Sequence, residues 1–133
     1  MLKIIESVAT IPAQDIKRAR QFYEQKLGLT ATEEQQDGSV MYRTGDTSFL
    51  VFPSMGKASG DHTQLGLDVD DIMSAANELK SKGVKLEDYD YPDFKTKDGI
   101  AELADGSKGA WFKDTEGNLI ALAQRVPATT RAR

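Results

Sequence analysis

Val40-Met41-Tyr42-Arg43-Thr44-Gly45-Asp46-Thr47-Ser48-Phe49-Leu50-Val51-Phe52 and Ala110-Trp111-Phe112-Lys113-Asp114-Thr115-Glu116-Gly117-Asn118-Leu119-Ile120-Ala121-Leu122 read as one short hairpin written twice. Tyr42 falls on Phe112, Arg43 on Lys113, Phe49 on Leu119 and Leu50 on Ile120, each 70 residues on. A repeat inside so short a chain implies a duplicated unit. Paired units commonly build a cleft between them, and function is expected there.

Outward from the two hairpins, the first half reads as β-α-β-β-β. Glu6 to Ile11 is a β-branched run ended by Pro12, and Gln14-Asp15 offers a helix N-cap. Ile16, Ala19, Tyr23 and Leu27 recur at helical spacing until Gly28 stops the helix. Three strands follow, about Thr30 to Gln35, Val40 to Arg43 and Ser48 to Phe52, separated by Asp37-Gly38 and Thr44-Gly45-Asp46 turns. Residues 54–61 form a polar linker. The second half repeats the plan: strand Thr63 to Val69, cap Asp70-Asp71, helical stripe Ile72, Ala75, Ala76, Leu79, stop Gly83 and strand Val84 to Asp90. Ala110 to Lys113 and Asn118 to Gln124 close it. A long segment, Tyr91 to Lys108, stands where the first half has a tight turn, and long loops often serve as lids or binding elements.

Bulk composition restricts the function. The 133 residues suit one domain, and 39% apolar with 29% charged content is ordinary for a globular chain. A net charge of −4 with mixed signs argues against nucleic-acid or anionic-membrane partners. The absence of cysteine rules out disulfides, thiolate metal sites and a cysteine nucleophile. No apolar run approaches a membrane span and the first residues lack a signal-peptide pattern, so a cytoplasmic address is the expectation.

Asp15-Ile16, Ala19, Phe22-Tyr23 and Leu27-Gly28-Leu29 resemble the first helix of the vicinal oxygen chelate superfamily, which includes glyoxalase I, extradiol dioxygenases and the fosfomycin- and bleomycin-resistance proteins. Residues 112–120 resemble its near-terminal F-x-D-P-D-G-N hairpin, with Thr115 in place of proline. The likeness spans about residues 5 to 125. It implies an α+β fold of two βαβββ modules, forming a U-shaped, incompletely closed mixed sheet around a groove with the helices outside. Residues 1–125 would make one such domain, with module one at about 5–53, linker 54–61 and module two at about 62–125. Residues 126–133 would be a frayed tail.

The resemblance also implies a divalent metal held by His, Gln and Glu side chains on the first and last strands of each module. Carried over, those positions fall on Val8, Val51, Gln64 and Ala121, and three of the four are aliphatic. Ser7, Ala9, Leu50, Phe52, Thr63, Leu65, Ile120 and Leu122 flank them, and none is a carboxylate or imidazole. No metal and no cofactor are therefore expected. The expected site is a groove lined by Val8, Val51, His62, Gln64, Trp111 and Ala121 that binds a small, partly apolar organic molecule. Metal-free relatives that sequester ligands as dimers make a homodimer the expected assembly.

Two other readings stand beside this one. Glu6 and His62 occupy equivalent places in the repeat, so they could transfer protons in a lyase or isomerase, with or without an atypical metal site. They could equally be a solvated strand end and a linker-edge residue. The third reading is a structural module whose dimer surface is the function. Trp111 lies beside the long segment, which carries Tyr91, Phe94, Lys95 and Lys97 with Tyr89 just before it, whereas Glu33-Glu34 and Asp68, Asp70, Asp71 read as exposed strand face and helix cap.

Overall fold

A computed structural model describes residues 2–126; of the expected tail, all but Val126 lies outside the described residues. The chain divides into two compact units. Unit 1 holds residues up to Ser59 together with Asp114–Asn118, and unit 2 holds Gly60–Lys113 and the chain from Leu119 onward.

Unit 1 contains β1 (Ala9–Ala13), α1 (Ile16–Gln21), β2 (Ala31–Glu34), β3 (Val40–Thr44) and β4 (Thr47–Pro53). Its sheet has the order β1-β4-β3-β2, with β1 parallel to β4 and the other pairs antiparallel. The expected strand from Glu6 begins only at Ala9. Ala9 lies opposite Phe49 and β4 starts at Thr47, so in this parallel register Glu6 falls beyond the start of β4. Pro12 does not end the strand as expected but sits within it, opposite Phe52. In this sheet β1 pairs with β4 alone, so a residue without an N–H is tolerated on the free edge.

α1 starts where the sequence predicts. Asp15 accepts a bond from the Arg18 N–H (3.0 Å), the usual N-cap arrangement. The α-helix then widens into a π-helical turn, Phe22–Lys26, and Gly28 ends it at φ +72°. The widened turn buries two successive aromatics, Phe22 and Tyr23. Tyr23, Tyr42 and Phe49 pack with ring centroids 5.6 Å apart, and Ile11 and Val51 complete this core.

Unit 2 contains β5 (Thr63–Asp68), α2 (Ile72–Ser81), β6 (Asp90–Tyr91), β7 (Phe94–Lys95), β8 (Ile100–Glu102), β9 (Lys108–Lys113) and β10 (Leu119–Gln124). The main sheet runs β5-β10-β9-β8, and β6-β7 is a separate small hairpin. Asp71 caps α2 through the Ser74 N–H, and the Gln124 amide oxygen takes the Ile72 N–H. Ile72, Ala76 and Leu79 bury one helix stripe.

The continuous strand expected over Val84–Asp90 does not form. Leu86 makes one antiparallel bridge to Phe112, the chain then leaves the sheet, and it returns at Ile100 opposite Ala110. The second strand of this module is thus split, and residues 87–99 are an insertion carrying the β6-β7 hairpin. Together the units give an α+β fold of two unclosed, mixed four-stranded sheets, each with one helix-covered face.

Candidate functional site

Which residues face away from α2 follows from the register of unit 2. Ile120 lies opposite Phe112, and Leu122 opposite Ala110, all four buried. The alternate pairs, Ala121 with Trp111 and Ala123 with Gly109, therefore take the other face. On β5, Gly66 is level with Ala121. The floor of this face is thus built from Gly and Ala, with Trp111 standing as a wall.

The insertion extends that wall. Trp111 meets Tyr89 and Phe94 edge-on, with centroids 5.7 and 5.1 Å away, and Tyr91 stacks on Tyr89 at 6.3 Å. Edge-to-face pairs of this kind favour one fixed ring arrangement. The Tyr89 N–H donates to Thr96 Oγ1 (2.8 Å), which holds the two arms of the insertion together. Gly109 is required beneath the indole, since a Cβ there would lie 2.8 Å from a Trp111 ring carbon. The result is a depression of about 290 Å³ lined by Gly109, Trp111, Ala121 and Ala123, with Lys108 and Arg125 among its charged residues.

Of the groove residues expected from sequence, Trp111 and Ala121 are brought together here. Gln64 is the extra residue of a β-bulge, since Thr63 pairs with Leu119 and Leu65 with Ile120, and it alternates with the core-facing Leu65. Val51 lies in the core of unit 1 at 1% exposure, opposite Ile11, and its neighbours Leu50 and Phe52 take the half-buried opposite face. Val8 precedes β1 at 37% exposure. His62 and Glu6 are both exposed, His62 in unit 2 and Glu6 in unit 1.

The misplacement of Val51 has a simple cause. Tyr42 pairs with Phe49, but Phe112 pairs with Ile120, so the second hairpin holds one residue more between matched positions. A single-residue slip turns every side chain to the other face. Ala121 then matches Leu50, and Val51 matches the buried Leu122.

The extra length lies in the turn Asp114-Thr115-Glu116-Gly117-Asn118, which belongs to unit 1. Asp114 there is buried and accepts four bonds: from the Tyr23 hydroxyl, the Glu116 N–H (2.8 Å), the Asn118 N–H (2.9 Å) and Asn118 Nδ2 (2.8 Å). Glu116 accepts the Asp15 N–H (3.0 Å) at the start of α1 and a forked pair from Arg18 (2.7 and 3.0 Å). Asn118 Nδ2 also donates to the Pro12 carbonyl (2.9 Å). Burial pushes the Glu116 carboxyl up, yet the bonds from Arg18, Asp15 and Thr115 outweigh it and leave the group below its ordinary range. Burial, reinforced by Asp114, drives the Tyr23 hydroxyl far above its usual range. These acids clasp a helix; their lone pairs are committed to protein donors.

The donor set does not fit the metal implied by the resemblance. Among the described residues no three His, Asp or Glu side chains gather as a metal-binding group. With the register corrected, the unit 1 candidates on β4 become Leu50 and Phe52, which offer no donor atom either.

The model of the Glyoxalase/Bleomycin resistance protein/Dioxygenase superfamily matches residues 4–122, so the chain belongs to that family. The fold is shared with the fosfomycin resistance protein FosX from Listeria monocytogenes at a TM-score of 0.71, with 9% identity, 99% of this chain and 100% of that one covered. TnmS3, an antibiotic binding protein from Streptomyces sp. CB03234, superposes at 0.66 with 22% identity, covering 94% and 100%. Lactoylglutathione lyase from Agrobacterium tumefaciens gives 0.68 with 16% identity, covering 91% and 94%. At such identities the likeness speaks for the fold alone. Among curated proteins, none matches the chain by sequence.

Proposed function

We propose that this chain binds a small, partly apolar organic molecule against the open sheet face of unit 2, without a metal, and holds it rather than transforming it. The observation that carries the reading is the depression walled by Trp111 over a floor of Gly109, Ala121 and Ala123. Small residues under a braced indole leave a flat apolar shelf with an aromatic wall, which suits a planar ring. About 290 Å³ matches a compact molecule or one ring system of a larger one. The absence of convergent carboxylates or imidazoles at the carried-over positions supports binding over catalysis. TnmS3, an antibiotic binding protein, agrees with this class of activity on the same fold. Exposed Leu2, Ile4 and Ile5 support a homodimer.

The test is calorimetric and fluorescence titration with the neutral aromatic probe N-phenyl-1-naphthylamine. Saturable binding is expected, unchanged after treatment with a chelator and at least tenfold weaker in Trp111→Ala. Binding that survives Trp111→Ala at full strength, or that depends on an added divalent metal, overturns the proposal.

A further inference from the structure

A second and larger depression, of about 750 Å³, lies in unit 2 beside α2. One wall is Met73, Asn77 and Lys80, spaced i, i+4 and i+7, and therefore a single stripe of the helix. The remaining lining comes from the end of the insertion and the β8-β9 hairpin: Lys95, Thr96, Lys97, Ile100 and Lys108, with Asp98 and Glu102. The charge balance is unusual for this chain. Overall it carries 17 basic and 21 acidic residues, yet this cleft sets four lysines against two acids.

Its cations are also under-used. Lys95 approaches Asp90 at 3.9 Å, and Lys80 Nζ donates to the backbone carbonyl of Asp98 (3.1 Å), not to a carboxylate. Among the described residues, Lys80, Lys97 and Lys108 form no ion pair. The backbone that presents them is ordered. Lys97 and Ile100 exchange both backbone bonds (2.8 and 3.1 Å) across Asp98-Gly99, whose φ values of +55° and +82° fit a tight hairpin turn. The Lys80 bond to Asp98 ties that turn to α2. The same cleft is also lined by apolar surface: Met73 is 54% exposed and Ile100 half-buried.

We infer that this cleft is a binding site for a small organic phosphate, its anionic group held by Lys80, Lys97 and Lys108 and its apolar body resting on Met73 and Ile100. Ammonium groups act as point charges that recognise a compact dianion without a fixed fork geometry. An anion there would gain the attraction of several like charges lining one cleft. The Asn77 amide adds a neutral donor from the helix wall.

The experiment titrates phenyl phosphate and inorganic phosphate into the full chain by calorimetry at low ionic strength, repeated in added salt. Lys97→Glu and Lys80→Gln serve as variants, with Lys17→Gln on the exposed side of α1 in unit 1 as the control, each checked for an unchanged far-ultraviolet spectrum. The expected result is tighter binding of phenyl phosphate than of inorganic phosphate, weakened by salt, and at least tenfold weaker in both cleft variants but unchanged in Lys17→Gln. Equal affinities for the two probes overturn the apolar part of the assignment. Binding that tolerates both cleft variants, or that is lost equally in Lys17→Gln, places the probe elsewhere and overturns the site.

Discussion

Removing the Tyr23 hydroxyl is the sharpest probe of the clasp on α1. Tyr23 is fully buried, and its hydroxyl donates to a buried carboxylate that accepts three further bonds. A hydrogen bond to a charged group contributes about 1.5–3 kcal/mol. Because Asp114 keeps its other donors in Tyr23→Phe, the cost should fall near the middle of that range, about 2 kcal/mol. Asp114→Ala is more severe. It removes the acceptor of the Tyr23 hydroxyl, of one of the two Asn118 Nδ2 hydrogens and of two backbone N–H groups, and at about 1 kcal/mol apiece the loss is roughly 4 kcal/mol, a large part of a typical domain's stability. In the Asp114→Ala background the hydroxyl has no partner, so adding Tyr23→Phe should cost almost nothing there. Urea unfolding of both single variants and the double, followed by far-ultraviolet circular dichroism, gives the coupling energy. A coupling below about 0.5 kcal/mol, the usual scatter for independent sites, would refute the reading of this bond as the clasp's anchor.

Two further outcomes follow from the same geometry. The Glu116 carboxyl is held below its unfolded value, so its stabilisation is fully present above the ordinary glutamate range and is lost as pH falls through the lower folded value. Glu116→Gln should therefore unfold earlier than the parent at pH 7, with the gap in urea midpoint closing on acidification; a gap independent of pH counts against it. Gly109→Ala places a methyl 2.8 Å from the Trp111 ring, so the indole must move at a cost of about 1–3 kcal/mol. A shifted tryptophan emission and loss of N-phenyl-1-naphthylamine binding are expected, whereas an unchanged spectrum with intact binding would show that the shelf has room to spare.

Much of this architecture was legible in the residues, and the failures have physical causes. Asp15, Asp71, Gly28 and Gly83 marked the helix ends because caps and left-handed stops are local chemistry. The open face of unit 2 was half legible through Trp111 and Ala121. Gly109 and Ala123 escaped notice because small residues announce themselves only through what they leave room for. Val51 was misplaced because a sequence repeat aligns letters, while a sheet aligns hydrogen bonds, and one extra residue between Phe112 and Ile120 separates the two. The second strand of unit 2 reads as continuous in the sequence because nothing in Val84–Asp90 signals that the chain departs after Leu86 and resumes at Ile100. The four lysines of the second cleft come from α2, the insertion and β9, and only the fold brings them together.

The assignment of Asp114–Asn118 to unit 1 has a consequence for biosynthesis. As the chain emerges from the ribosome, residues 1–59 carry a helix whose first turn and buried tyrosine still lack their acceptors. Those acceptors are synthesised only after Gly60–Lys113 of unit 2. At about 5–20 residues per second, the wait from Ser59 to Asn118 is roughly 3–12 s. During that interval the nascent unit 1 lacks the turn that clasps α1. The amino-terminal half is thus begun first but cannot be completed until residue 118 has left the exit tunnel, which makes its folding wait on the synthesis of residues 60–113.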